Sequence, residues 1–181
     1  ALLFLLTEDG IPCVYYGTEL DFDGANDPAN REVVWERARD YATNGDLARE
    51  LPTDGNTFRY MARLTRIRRA YEPLRRGTME FKWTTMAVGS EEDAGMLAFE
   101  RRAGADTVLV VLHTRPGRGR TSSGGNEMAT SFAAGTQLVD VLDPEGGTRV
   151  TVGAGGRVAV SLDGYAAVVL VPADRVQELA R

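Results

Sequence analysis

Beyond Gly77 the chain is written in short β-rich runs broken by glycine clusters: MEFKWT, GMLAFERR, TVLVVLH, QLVDVL, RVTV, RVAVSL and YAAVVLV. Runs of this length and composition, bounded by glycine-containing turns, predict strands. Seven in succession with no helical pattern between them predict an antiparallel sandwich. Residues 77–181 are enough to enclose a core of their own. The segment Arg115–Gly125, RPGRGRTSSGG, reads as a flexible loop whose arginines face solvent.

Residues 1–76 have a different texture. The opening run ALLFLL ends at Thr7-Glu8-Asp9-Gly10, with Gly10 suited to a left-handed helix C-cap. Cys13-Val14-Tyr15-Tyr16 is apolar without alternation, which predicts a strand buried on both faces, the kind that belongs to parallel sheets covered by helices. From Gly17 to about Pro52 no hydrophobic period is sustained, and a long functional loop with short helices is expected. Phe58, Met61, Leu64, Ile67 and Tyr71 then recur at helical spacing, predicting a helix over 56–71 that ends at Glu72-Pro73. Its other face carries Arg59, Arg63, Arg66 and Arg69, expected in solvent. The chain thus divides at 76/77. Its start at Ala1, inside an apolar run and without methionine, leads to the expectation of a piece of a longer polypeptide.

Composition excludes several classes. With 21 basic against 26 acidic side chains and a net charge of -5, the chain lacks the basic cluster that phosphate binding needs, so no nucleic-acid partner is expected. At 43% hydrophobic residues it is not a disordered tail. No apolar run approaches the ~18 residues of a membrane helix, and no membrane partner is expected. Cys13 and His113 are each single, so neither an internal disulfide nor a tetrahedral zinc site can form. No cofactor and no metal are implied.

In a parallel barrel the chemistry sits beyond the C-terminal ends of the strands, which directs attention to the residues after Tyr16. Glu19, Asp21, Asp23, Asp27, Arg31 and Glu32 fall there. Asp21, Asp23 and Glu32 occupy the first, third and twelfth places of a calcium-loop register, yet Ala25 and Asn26 stand where a ligand and a glycine are required. A retaining glycosidase needs two carboxyl groups ~5–5.5 Å apart, which spacing along a loop does not establish. Asp27 and Arg31 are the stronger pair. A carboxylate beside a guanidinium can clamp vicinal sugar hydroxyls, one accepting hydrogen bonds and the other donating them. A plain loop ion pair is the alternative.

GIPCVYYGTE followed by GANDPANREVVW resembles the eighth barrel strand and following loop of the alpha-amylase family of glycoside hydrolases. RYMARLTRIRRAYEPLRRG resembles the last barrel helix and its exit, and the β-rich remainder resembles the family's domain C. The resemblance implies a mixed fold: the last βα unit of a (β/α)8 barrel (1–76), followed by an antiparallel β-sandwich (77–181). It implies a parent enzyme that cleaves α-glucosidic bonds of starch-like glucans by a retaining mechanism. The family's three catalytic acids follow earlier barrel strands, so they lie upstream of Ala1 and the chain alone is expected to be inactive.

By the same resemblance Asp27 and Arg31 match substrate-binding positions that hold the glucose one site beyond the scissile bond on the non-reducing side, with an α-glucan or maltooligosaccharide as partner. Gly17 and Glu19 match structural positions. Tyr15 and Tyr16 are expected in the barrel wall, Trp35 beneath the loop and His113 as a structural strand-end residue. Thr18 stands where the family usually has Asp, which leaves linkage specificity open. With most of a barrel absent, self-association of the chain is expected. The alternative reading is a non-catalytic carbohydrate-binding or interaction module, for which Trp83 and Tyr165 are the sandwich aromatics to weigh. An alpha-glucosidase, a cyclodextrin-acting enzyme or a transglycosylase is a further possibility for the parent.

Overall fold

A computed structural model describes residues 1–22, 24, 26–28, 30–32 and 56–179. They form two compact units, one of Ala1–Ile11 with Arg66–Arg181 and one of Pro12–Thr65. The division between these units falls within a helix. Among the described residues no helix is long and apolar enough to cross a membrane.

The larger unit is built on an antiparallel six-stranded sheet in the order β1-β2-β3-β11-β7-β8. These strands are β1 (Thr78–Trp83), β2 (Met96–Ala103), β3 (Asp106–His113), β7 (Gln137–Asp140), β8 (Arg149–Thr151) and β11 (Ala167–Pro172). A second layer holds β4 (Gly119–Arg120) with β10 (Ser161–Leu162), and β5 (Ser122–Ser123), β6 (Asn126–Ala129) and β9 (Arg157–Val158). All seven expected runs therefore carry strands, and the antiparallel sandwich is found. The segment Arg115–Gly125 departs from the flexible loop expected of it, since β4 and β5 lie within it.

Alternation along the strands creates two buried faces. Met96 and Ala98 of β2, Leu109 and Val111 of β3, and Val168 and Leu170 of β11 form one core with Met128, Val158, Val160 and Leu162 of the second layer. The intervening residues Phe99, Arg101, Val108, Val110, Val169 and Val171 are also buried, on the opposite face. Helix α1 (Leu2–Thr7) and helix α3 (Glu72–Arg76) belong to this unit, and α3 packs on β2 and β3. The Phe4 ring meets Phe99 edge-on at 5.9 Å. Two guanidiniums fix the end of α1. Arg101 donates to the carbonyls of Thr7 (2.9 Å) and Gly77 (2.7 Å), and Arg68 to those of Leu6 (2.9 Å) and Gly10 (2.7 Å). They satisfy carbonyls that a helix end leaves without partners.

Helix α2 (Asn56–Ala70) covers the expected range, with Leu64 and Ile67 buried, and Tyr71 leaves the helix at φ −100° before Pro73. Arg59, Arg66 and Arg69 are exposed as expected, whereas Arg63 is half-buried. Two local expectations fail. Helix α1 is capped by Glu8 in an extended conformation, and Gly10, at φ +107°, lies two residues further on. The strand expected at Cys13–Tyr16 is not formed. Cys13 is exposed, as are Val14, Tyr15 and Tyr16 at 37%, 60% and 42%. A parallel strand exists only with neighbours that complete its hydrogen bonds, and no described residue pairs with this one.

Gly77 has an ordinary φ of −75°, and its constraint is space. A Cβ there would sit 2.5 Å from the Pro73 carbonyl oxygen and 2.6 Å from that of Arg102, both backbone atoms that cannot rotate away. Gly77→Ala should therefore lower stability by about 1–3 kcal/mol. Thermal unfolding followed by circular dichroism tests this, and an unchanged midpoint would contradict the crowding.

Candidate functional site

The candidate residues lie in the smaller unit, on a loop that begins with a sharp reversal. Gly17 adopts φ +81°, and a Cβ on it would fall 2.2 Å from the Phe22 ring, so side chain and backbone conformation both demand glycine. A 3-10 turn over Thr18–Leu20 follows, with Leu20 and Phe22 donating to the Gly17 carbonyl at 3.0 and 3.1 Å. Thr18 Oγ1 donates to the Tyr15 carbonyl at 2.7 Å, and Thr57 Oγ1 to the Asp21 carboxylate at 2.6 Å.

Three aromatic rings brace the reversal. Tyr15 and Tyr16 stand 4.7 Å apart between centroids, and Phe22 meets Tyr16 edge-on at 6.1 Å. The Tyr16 hydroxyl donates to the Glu32 carbonyl at 3.0 Å, and the Glu32 carboxylate accepts the Gly24 N–H at 3.1 Å. Desolvation by its surroundings and then the neighbouring Tyr15 raise the Tyr16 phenol above its ordinary value. Tyr15 and Tyr16 are thus exposed loop braces here, in place of the wall packing expected of them.

Asp27 and Arg31 are brought together. Arg31 Nη2 lies 3.1 Å from Asp27 Oδ1, one helical turn apart in sequence, and the side chains are 71% and 67% exposed. Between them runs a turn with a cis Asp27–Pro28 bond, in which the Arg31 N–H reaches the Pro28 carbonyl at 3.1 Å and Asn30 that of Asn26 at 3.3 Å. An ion pair this exposed contributes ~0–1 kcal/mol to stability, so a ligand can engage either partner at little cost. The pair offers an acceptor and a planar donor side by side, the arrangement that vicinal hydroxyls match.

The remaining candidates separate. Glu19 is half-buried and makes no ion pair among the described residues. Asp21 and Glu32 are engaged by Thr57 and Gly24, while Asp23 and Trp35 lie outside the described residues. His113 ends β3 at 4% exposure, with Nδ1 3.1 Å from the Asp163 carbonyl and Nε2 3.2 Å from that of Ala94. It ties two loops to the strand end, which is a structural position. The sequence reading passed over Arg68 and Arg101. A signal was available for the second: in a strand apolar on both faces, a charged residue mid-run must be paired to be buried.

No family model matches the chain. A cyclomaltodextrinase of a Bacillus species is 32% identical over 114 residues, covering 62% of this chain and 17% of the relative. A cyclomaltodextrinase of Geobacillus thermopakistaniensis is 29% identical over 144 residues, covering 79% of this chain and 20% of the relative. Among solved structures, an alpha-amylase from Malbranchea cinnamomea superposes with a TM-score of 0.70 at 26% identity, over 98% of this chain and 33% of that one. The chain therefore spans about a fifth of these curated relatives and a third of that structure.

Proposed function

The chain is related to the alpha-amylase family of glycoside hydrolases, and we propose that it forms the C-terminal portion of such an enzyme, 1–76 completing its barrel and 77–181 forming domain C. The observation that carries the reading is the exposed Asp27–Arg31 pair at 3.1 Å on the loop that follows the Gly17 reversal. Exposure of Val14, Tyr15 and Tyr16 supports it too, since an apolar segment of this kind fits a barrel strand whose neighbours lie outside the chain, and it makes self-association of the isolated chain part of the same proposal.

In this reading the parent cleaves α-glucosidic bonds of starch-like glucans with retention of configuration. A nucleophilic carboxylate and an acid/base carboxyl ~5–5.5 Å apart carry the chemistry. Both are supplied from outside this chain, which is inactive alone. Asp27 would accept hydrogen bonds from one sugar hydroxyl and Arg31 would donate to its neighbour, holding the glucose beyond the scissile bond. Binding energy gathered there is used to orient the bond being cut, so loss of the pair should reduce turnover as well as affinity.

Arg31→Ala in the full-length parent should lower kcat/KM on maltooligosaccharides by about 10- to 100-fold, the effect of losing a charged hydrogen bond. Unfolding of the variant should match wild type, because the ion pair is exposed. Unchanged kcat/KM would remove the pair from the substrate site.

A further inference from the structure

We propose that strand β1 is an interface between two copies of this chain, paired antiparallel across a two-fold axis at Phe81. β1 (Thr78–Trp83) is the end strand of the six-stranded sheet, and β2 is the one strand that pairs with it among the described residues. An end strand directs a row of backbone N–H and C=O groups away from its own sheet, and a further strand can take them up. The proposal is independent of the glucan reading. It uses neither the Asp27–Arg31 loop nor the exposed segment Val14–Tyr16.

The strand's own sequence selects the partner and the register. Set antiparallel against itself around Phe81, Glu80-Phe81-Lys82 places each Glu80 opposite the partner's Lys82 and each Phe81 opposite the partner's Phe81. An axis at Glu80 would oppose two carboxylates, and an axis at Lys82 two ammonium groups. Opposite charges directly across a strand pair attract and like charges repel, so the axis at Phe81 is the favoured one of the three. Self-complementarity of this kind is what a two-fold interface requires, and an unrelated strand would not supply it. The Glu80 side chain is 61% exposed and free to be approached, and Lys82 Nζ lies 2.8 Å from Glu80 and 3.4 Å from the buried Glu100. An ammonium group has three donors, so these two contacts leave one for the partner's carboxylate.

The aromatic rings give the axis a second support. Phe4 meets Phe99 edge-on at 5.9 Å and Phe99 meets Phe81 at 6.1 Å, so a row of rings crosses the sheet and ends on a Phe81 that is 54% exposed. Residues directly opposite in an antiparallel pair bring their side chains within reach of aromatic contact, so pairing at Phe81 would continue the row into the second copy and cover the exposed ring. The bulge in β1 sets the limit of the interface. Its register on β2 shifts between Phe81 and Trp83, and Trp83 packs on the sandwich core. A bulge bends a strand out of line, which confines the pairing to a short ribbon centred on Glu80–Lys82 and makes the dimer weak and dependent on concentration.

The test is disulfide trapping at the axis. Cys13 is exposed, so the experiment is done in a Cys13→Ser background. Phe81→Cys sets a thiol opposite its own copy, whereas Glu145→Cys sets one between β7 and β8, at the other end of the sheet. Under mild oxidation Phe81→Cys should form disulfide dimers about tenfold faster than Glu145→Cys, because the paired strands hold the two thiols together. Adding Glu80→Lys opposes like charges on both sides of the axis and should slow the trapping about fivefold, and high salt should restore part of that rate. A second measurement leaves β1 unaltered: in the wild-type chain the amide shifts of Glu80–Lys82 should move with rising protein concentration, and in Glu80→Lys they should not. Equal trapping at positions 81 and 145, the result of association through Val14–Tyr16 alone, overturns the proposal. So does trapping indifferent to Glu80→Lys, or amide shifts at Glu80–Lys82 that ignore concentration in the wild type.

Discussion

Replacing Arg101 by methionine should cost the chain about 3–5 kcal/mol of stability, seen as a large drop in the urea midpoint. Its guanidinium is fully buried and donates to the carbonyls of Thr7 and Gly77. Methionine fills much of the volume but supplies no donor, so both carbonyls are left buried and unpaired, each at about 1–3 kcal/mol. Asp9 adds little, since the contact is 3.4 Å long and its side chain is 71% exposed. Burial lowers the pKa of the guanidinium, with the Asp9 carboxylate opposing, and this marks how far the charge depends on its partners. A lysine should recover part of the loss through one donor. A loss below about 1 kcal/mol in Arg101→Met would mean that α1 is held by apolar contact alone.

Phe99→Ala should have an effect of similar size, about 3–5 kcal/mol, by a different route. The ring is fully buried and receives Phe4 at 5.9 Å and Phe81 at 6.1 Å, both near-perpendicular. It is the contact point for α1 on one side and for edge strand β1 on the other. Removing it opens a cavity that a β-strand held on both sides cannot collapse to fill, and two edge-on aromatic contacts are lost with it. Leucine at the same position should recover part of the loss. Equal stability for the alanine variant would show that the helical face of the sheet carries little of the fold.

Much of the sandwich was legible because its strands are long enough to state their period. TVLVVLH, and Met96–Phe99 of GMLAFERR, are apolar on alternate and intervening positions alike, which is the mark of a sheet covered on both faces, and β2 and β3 are covered so. β4 and β5 lie in RPGRGRTSSGG, which has no apolar residue to mark a strand, whereas the equally short β9 and β10 fall in the apolar run RVAVSL. Cys13–Tyr16 failed for the opposite reason. Its apolar character is a property of the segment, but whether a strand forms depends on partners elsewhere, and here no described residue supplies them. At the candidate site, residue type and spacing indicated that Asp27 and Arg31 would meet, and they do at 3.1 Å.

The Arg101–Thr7 hydrogen bond joins residues 94 positions apart, and this has a consequence for the order of assembly. During synthesis Leu2–Thr7 is made well before the strand that receives it. For that interval Leu3 and Leu6, almost fully buried at the end, wait for the sheet that α1 packs on. Long-range closures of this kind are slow, since the loop entropy is lost before any contact compensates it. The docking of α1 on β2 therefore waits for residues made much later in the chain, and it should be among the late steps of folding.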